Sequence, residues 1–519
     1  MLYERPRLPR ERFGGEGERF ARLGAVATIG VFVTKRIVII GAGIGGLAAA
    51  GRLAREGFDV RVVEKEPGPG GRCGTLVDGE FRWDVGPTIL LFPDVLRRHF
   101  AECGARVEDY LDLVRCHPNY RITYADGATL TMQSDLVAMR RELERFAPGS
   151  YPGFLRFLEH GKRSTDVAFG TFLGRTFDRK RDMIGARSLL GVIRSRSYRS
   201  LYSVVSKMVK DERLRMALTF QTMYLGLSPY EAPALFGLLP YTEIEHGIWH
   251  AKGGLGAIAD ALAKLATEQG ARIRYGAAVA SIERGSTAAR AVVLEGGERI
   301  EADVVLANAD LPWVYRALLD RPLARKKYTS SALMFYWAVN GRFDLQHHNV
   351  FFAAQYKESF RRIFDERTVP DEPSFYVANP VVNDPSMAPA GKSALYVLVP
   401  VPHLASDDAE ADEWSTDSIR ARVLRRLEAT VAPGIGAAIE KEHVMTPRDW
   451  SSRFSLERGS AFGLAHTLLQ VGALRPPNRD DVLGNLYFVG ASTQPATGIP
   501  NVLLGAKLVS ERIMREQAA

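Results

Sequence analysis

The stretch RIVIIGAGIGGLAAAGRLAREGFDVRVVEKEPGPGGRCGT, Arg36–Thr75, decides the fold. Ile37–Ile40 is a short apolar run of buried-strand type, and Gly41, Gly43 and Gly46 follow it in G-x-G-x-x-G spacing. Leu47–Arg55 has helical character; after Gly57 a second run, Val60–Val63, delivers Glu64. Each part has a role in holding a dinucleotide. Gly41 permits the tight turn, Gly43 lets backbone approach a pyrophosphate, and Gly46 lets helix and strand pack closely. The helix N-terminus offers partial positive charge to the phosphates. Glu64, 18 residues after Gly46, is placed to accept hydrogen bonds from a ribose hydroxyl pair and is a poor neighbour for a 2'-phosphate.

Just beyond, Gly70, Gly71 and Arg72 form a compact turn whose cation can reach a phosphate. Trp83, Asp84, Val85, Gly86, Pro87 and Thr88 then make a rigid, partly aromatic turn of the kind that passes beside a bound ring system.

The rest of the 519 residues suits two or three associated domains. With 46% hydrophobic and 25% charged residues, the chain as a whole is not disordered. A net charge of +8 is diluted over a large surface, and no basic-aromatic stripe suited to nucleic acid is present. Cys73, Cys103 and Cys116 have neither metal-ligand spacing nor an even count, which fits the inside of a cell. Among the ten histidines, adjacent His347 and His348 lack an accompanying Glu or Cys pair and read as packing residues, so no metal is expected. No apolar run is long enough to span a bilayer; Ala25–Val33 stops after nine residues. Met1–Arg22 mixes Arg with Glu and reads as part of a loose extension covering 1–34.

Further along, Tyr120–Met132 reads as a hairpin about Asp126-Gly127, with helices near Ser134–Phe146, Gly153–Phe169 and Met208–Tyr224. Gly253, Gly254 and Gly256 precede another helix, followed by strands at Arg272–Tyr275, Ala278–Ile282, Ala291–Leu294 and Glu301–Leu306, the last completing a meander. Ser331–Val339 and Ala394–Val399 read as strands, the second closed by Pro400, and Ser418–Thr430 as a helix. Late in the chain, LYFVGASTQPATGIPNVLLGAKL (Leu486–Leu508) repeats the strand-glycine-helix theme. Gly490 ends its strand, and Thr497, Gly498, Ile499 and Pro500 lead into a helix, Pro500 falling in the first turn. Leu486–Val489 is therefore expected to rejoin the sheet that began at Ile37.

Ile184–Lys210 combines Leu189, Leu190, Ile193, Leu201, Val205 and Met208 with six cations and no anion. Such a segment either lies on an anionic bilayer or packs on its own domain with the cations in water.

The continuation from Glu64 to Arg72, E-x-x-x-x-x-G-G-R, resembles the FAD-binding pattern of the amine oxidase-like flavoproteins. Further motifs, GIWHAKGG (Gly247–Gly254), HHNVFFAAQY (His347–Tyr356), NDPSMAPAG (Asn383–Gly391), LVPVPHL (Leu398–Leu404), GSAFGL (Gly459–Leu464) and RPPNRD (Arg475–Asp480), resemble the bacterial-type phytoene desaturase family over nearly everything after Lys35. The resemblance implies an α/β chain in which a Rossmann-like FAD-binding domain (35–119, 241–310, 451–519) is interleaved with an α+β substrate domain (120–240, 311–450). It implies FAD near Gly41, Gly43, Gly46, Glu64, Gly71, Arg72, Gly86, Gly490, Gly498 and Ile499, with Val279 passing the adenine. The implied chemistry is hydride transfer from a long hydrophobic polyene precursor to the flavin, followed by proton loss, with Asp182 as the acid-base group. Quinone or oxygen is the implied electron acceptor, and the implied location is cytoplasmic with peripheral membrane contact.

Two other readings keep part of this scaffold: a C30 diapocarotenoid desaturase or related carotenoid oxidoreductase or isomerase, and a nonenzymatic prenyl-chain chaperone. One departure stands out. Ser492, Thr493, Gln494, Pro495 and Ala496 replace the Gly-Thr-His-Pro-Gly common in this family, so a neutral amide is expected near the flavin where an imidazole would titrate.

Overall fold

The computed structural model describes residues 34–175, 177, 186–405 and 414–517. The glycine motif opens a five-stranded, wholly parallel sheet in the order Leu486–Phe488, Val304–Ala307, Arg36–Ile40, Asp59–Val63, Arg272–Arg274. Ile37 pairs with Val304 on one side and Val60 on the other, and Leu306 pairs with Tyr487. These strands are short and apolar because both sheet faces are covered. Helices Ile44–Arg55, Gly256–Glu268 and Ile499–Gln517 share one core with Ile37, Ile39, Val60 and Val62. The late strand thus joins the first sheet, as its pattern implies, and Val304–Ala307 lies between it and the opening strand.

The second large sheet has seven strands in the order Ile439–Met445, Ser331–Val339, Ser393–Val401, Phe375–Ala378, His348–Phe351, Tyr120–Thr123, Thr129–Met132. All its pairs are antiparallel except Asn349 with Arg121 and its neighbours. SALMFYWAV is buried along its whole length because successive side chains meet different cores. Leu333, Phe335 and Trp337 pack on Ile419, Val423 and Leu427 of the helix Thr416–Thr430. Met334, Tyr336 and Ala338 face Trp83, Tyr396 and Trp450.

Four expectations need correction. Arg299–Glu301 closes the small antiparallel meander with Val279–Arg284 and Ala289–Leu294, while Val304–Ala307 leaves it to rejoin the parallel sheet. Met208–Tyr224 is broken into Glu212–Ala217 and a 3-10 turn, Phe220–Leu225, since the Asp211 side chain accepts the Leu214 N–H at 2.9 Å and starts a new helix. The strand Ser393–Val401 runs through Pro400, tolerated because Phe375–Ala378 pairs with it only as far as Leu398.

The fourth concerns the basic stretch, described from Ala186 onward. Helix Ala186–Arg194 exposes Leu189 (63%), Leu190 (52%) and Ile193 (55%), whereas Leu201 and Val205 of the next short helix are fully buried. The second half therefore contributes to the interior rather than to an apolar surface. Residues 407–413, DDAEADE, which read as a solvated acidic loop, and residues 1–33 lie outside the described residues.

Candidate cofactor and substrate cavity

Folding zips the two glycine turns together. Gly41 donates to the Val63 carbonyl at 2.8 Å, and Gly70 donates to the Ala42 carbonyl at 2.8 Å. Glu64 accepts the Ala42 N–H at 2.6 Å through one oxygen and the Glu66 N–H at 2.9 Å through the other. The first helix starts on Gly43 with no side-chain cap and no acid in its first turn, so its N-terminal N–H groups keep their positive end for something else. Gly46 packs as its spacing implies, since a Cβ there would stand 2.2 Å from the Gly41 carbonyl oxygen.

These elements form one end of a cavity of about 750 Å³. Gly41, Gly43, Glu64, Gly71, Arg72, Gly86, Val279, Gly490, Gly498 and Ile499 all line it, while Gly46 does not. Asp182 lies outside the described residues. Arg72 is half-buried, not a surface side chain; it donates to the Ala461 carbonyl at 3.1 Å, and desolvation lowers its pKa while Asp310 opposes the shift.

Burial pushes the Asp310 carboxyl up, countered by Arg72 and by a 2.5 Å hydrogen bond from Ser492. Asn308, which the sequence marks only as the end of the meander, is wedged beneath the glycine turn, where its Nδ2 donates to the Gly41 carbonyl at 3.4 Å. Asn308-Ala309-Asp310 ends a strand of the parallel sheet, the position where such sheets place ligands. The signal is present in the sequence as polar residues closing an apolar run, but assigning that run to the meander hides it.

The other end is walled by Phe172, Leu173, Met223, Leu235, Phe236, Leu238, Phe352 and Phe360, with the phenols of Tyr224, Tyr356 and Tyr376 among them. Val192 and Ser197 from the basic stretch also reach this surface. Trp83 and Asp84 end a strand, Phe81–Asp84, rather than opening the expected turn, and the seven-stranded sheet supports the Val85–Thr88 segment that follows. Tyr336 donates to the Val85 carbonyl at 2.6 Å, Tyr396 to the Gly86 carbonyl at 2.5 Å, and Thr88 Oγ1 lies 2.8 Å from the Tyr376 hydroxyl.

Gln494 departs from expectation. Its amide is not at the cavity surface; it accepts the Phe177 N–H at 3.0 Å and donates to the Phe177 carbonyl at 3.2 Å, while Pro495, Ala496 and Thr497 do the lining. His347 and His348 are buried as expected but gather Cys116, with one ligand-type atom from each of the three within 4.8 Å of the others. His347 Nδ1 is 2.7 Å from Asn383 Oδ1, and His348 Nδ1 is 2.6 Å from the Tyr376 hydroxyl.

The donor set fits a dinucleotide flavin: uncapped helix N-terminus, glycine backbone on the cavity floor, an acid at the end of the second strand, and a cation on the adjoining turn. Joined to an apolar chamber, it defines a flavin-dependent oxidoreductase acting on a hydrophobic molecule.

Residues 44–514 match the flavin containing amine oxidoreductase family model. A zeta-carotene-forming phytoene desaturase of Myxococcus xanthus is 50% identical over 491 residues, covering 92% of this chain and 94% of the relative. Phytoene desaturase of Phycomyces blakesleeanus is 41% identical, covering 92% and 85%. A 4,4'-diapophytoene desaturase of Methylomonas is 36% identical, covering 92% and 96%. In fold, an oxidoreductase of Methanosarcina mazei (TM-score 0.61, 19% identity, 92% and 100% covered) and putrescine oxidase (TM-score 0.62, 16% identity, 93% and 99% covered) are similar. The chain belongs to the phytoene desaturase family, within the amine oxidase-like two-domain FAD flavoproteins.

Proposed function

We propose that this chain desaturates a C40 carotenoid precursor such as phytoene, with FAD as its redox cofactor, converting a CH2–CH2 unit beside the existing polyene into a conjugated double bond. The observation that carries this reading is the continuity of the glycine-turn end and the apolar end in one cavity. Bound FAD supplies the hydride acceptor for the substrate's C–H electron pair.

In this reading Gly41 and Gly43 bring backbone to the pyrophosphate, Glu64 takes the ribose hydroxyls, and Arg72 with the Gly70-Gly71 turn closes over the phosphates. Val279 borders the adenine. Gly86, Gly490, Gly498 and Ile499 border the flavin end. Segments 35–119, 241–310 and 451–519 make up the cofactor domain, and 120–240 with 311–450 the substrate domain. The apolar wall aligns the chain and excludes water, which would otherwise capture the developing positive charge on the polyene as an alcohol.

Among the described residues no helix is long and apolar enough to cross a membrane. Exposed Leu189, Leu190 and Ile193, with exposed Arg194 and Arg196 beside the cavity-lining Val192, suit a cytoplasmic enzyme that rests on the bilayer and draws its substrate from it. Quinone or oxygen then reoxidises the cofactor.

The test is incubation of FAD-loaded protein with phytoene in liposomes, recording product masses and absorption spectra. Losses of two hydrogens with lengthening chromophores are expected. Activity confined to the C30 precursor would move the assignment to a diapocarotenoid desaturase. No desaturation of either precursor by flavin-loaded protein would sink the enzyme reading.

A further inference from the structure

Desaturation must dispose of a proton as well as a hydride, and the apolar end of the cavity narrows the groups that can take it. Among the described residues, the acids at the cavity surface, Glu64, Glu66, Glu295 and Asp310, do not belong to that end: the first two frame the glycine turn, Glu295 follows the meander strand beside Val279, and Asp310 is tied to Ser492 and faces Arg72. His466 also reaches the cavity, but its Nε2 already accepts the Thr497 N–H at 3.1 Å, and burial with Arg475 nearby holds it neutral. Tyr376 is backed by His348, whose imidazole is kept from protonating by burial and by His347 and His250.

Behind the same apolar wall sits Glu243, with none of its side chain exposed. Its Oε2 accepts the Tyr120 hydroxyl at 2.9 Å and the Gln221 amide at 3.1 Å, and Gln221 also donates to Tyr120 Oη at 2.8 Å. Among the described residues Oε1 has no hydrogen-bond partner. The Tyr224 hydroxyl faces the same carboxyl, and Tyr224 is part of the cavity wall. Among the described residues no cation contributes to this site: the polar groups that act on Glu243 are Tyr224, Tyr120 and Gln221. A buried carboxyl without a counterion costs free energy and adds no packing that an apolar residue would lack, so stability does not account for it.

We infer that Tyr224 and Glu243 form the proton exit of the desaturation reaction: Tyr224 meets the substrate, and Glu243, positioned behind it, receives the proton. This rests on the proposed desaturation. Once the hydride has left one carbon, the C–H bond on the neighbouring carbon breaks and its electron pair becomes the new π bond. The proton passes to Tyr224 Oη as the phenol's own proton moves to the Glu243 carboxylate, leaving Tyr224 neutral throughout. Burial holds the Tyr224 phenol protonated, as this exchange requires. Burial also raises the Glu243 carboxyl to about 7, partly offset by the Tyr224 hydroxyl and by the hydrogen bonds from Tyr120 and Gln221, so it is both a competent acceptor and able to release the proton near neutral pH.

The test compares wild type, Glu243→Gln, Tyr224→Phe and Tyr120→Phe as FAD-loaded enzymes on phytoene liposomes, with kcat measured across pH. Wild type is expected to gain rate as a group near pH 7 deprotonates. Glu243→Gln should lose that limb and at least about 100-fold in kcat, with FAD content and Tm retained. Tyr120→Phe removes a hydrogen bond that favours the carboxylate and should move the limb to higher pH, a response a purely structural role does not give.

An infrared carboxyl band titrating near pH 7 and missing in Glu243→Gln gives a readout independent of turnover. A Glu243→Gln enzyme that keeps the neutral limb overturns the proposal. So does a Tyr224→Phe enzyme with the wild-type rate, which decides the matter if Glu243→Gln fails to fold. An inactive wild type would instead refute the desaturase reading, so the two failures are distinguishable.

Discussion

The Glu64 carboxylate and the Ala42 backbone N–H are locked together at 2.6 Å, which ties the end of the second strand to the tip of the first glycine turn. The same carboxylate is the group proposed to bind the ribose. Its second oxygen is held by the Glu66 N–H, so the side chain is oriented before any ligand arrives.

Glu64→Ala should therefore lose both ribose recognition and the brace on the turn. A hydrogen bond to a charged group is worth about 1.5–3 kcal/mol, so FAD should be held roughly 10- to 100-fold more weakly. Fluorescence titration of apoprotein with FAD measures this directly. An unchanged Kd would remove Glu64 from the site.

Gly46 offers a second check because its neighbour is backbone and cannot swing aside. With a Cβ placed 2.2 Å from the Gly41 carbonyl oxygen, Gly46→Ala must push the helix off the strand, at a cost of about 1–3 kcal/mol. Reduced Tm and poor flavin retention are expected. Gly68→Ala, where nothing lies within 4 Å, is the matched control and should leave both unchanged.

What is legible in the sequence is what local spacing encodes. Gly41, Gly43, Gly46 and Glu64 fall within one βαβ unit, so chemistry and geometry are readable from consecutive residues. The late strand Leu486–Phe488 is also readable, because its apolar run ends on a glycine and a helix start. Glu243 and Tyr224 are not. Their neighbours Tyr120 and Gln221 come from separate elements, and nothing in YTEIE distinguishes a buried acid from a solvated one. Gln494 misleads for a related reason: its position beside a cavity-lining Pro is clear, but the direction of its side chain depends on the distant backbone of Phe177.

Asp84 makes the stability depend on pH. Burial raises its carboxyl from 3.8 to about 6, against the opposing influence of His250 and the N–H groups of Gly256 and Leu255. Between those values the folded chain binds more protons than the unfolded chain, so this group's contribution falls as pH rises from about 4 to about 6. The span is on the order of 3 kcal/mol. Asp84→Asn should flatten that part of the stability profile in denaturant titrations at a series of pH values. A slope equal to wild type would show that Asp84 does not carry it.

The basic face gives a prediction about location. Arg194 and Arg196 are exposed and Arg199 half-buried, next to the exposed apolar side chains of Leu189, Leu190 and Ile193. Each surface cation near an anionic leaflet is worth about 1 kcal/mol. Reversing all three to Glu should reduce cosedimentation with anionic liposomes by about 100-fold or more while sparing FAD content. Unchanged binding would mean that this helix is not the membrane face.

Gln494 is the last point at which sequence and structure part. Its amide both accepts from and donates to the backbone of Phe177, and its Nε2 also lies 3.3 Å from the Arg475 carbonyl. A carboxylate can keep the first of these bonds but repels both carbonyls. Gln494→Glu should therefore strand the Phe177 and Arg475 carbonyls as buried acceptors at about 1–3 kcal/mol each and lower Tm. The flavin absorption maximum should stay in place, since Gln494 does not line the cavity. A shifted flavin spectrum with unchanged Tm would instead put this side chain back at the cofactor, where the family pattern places it.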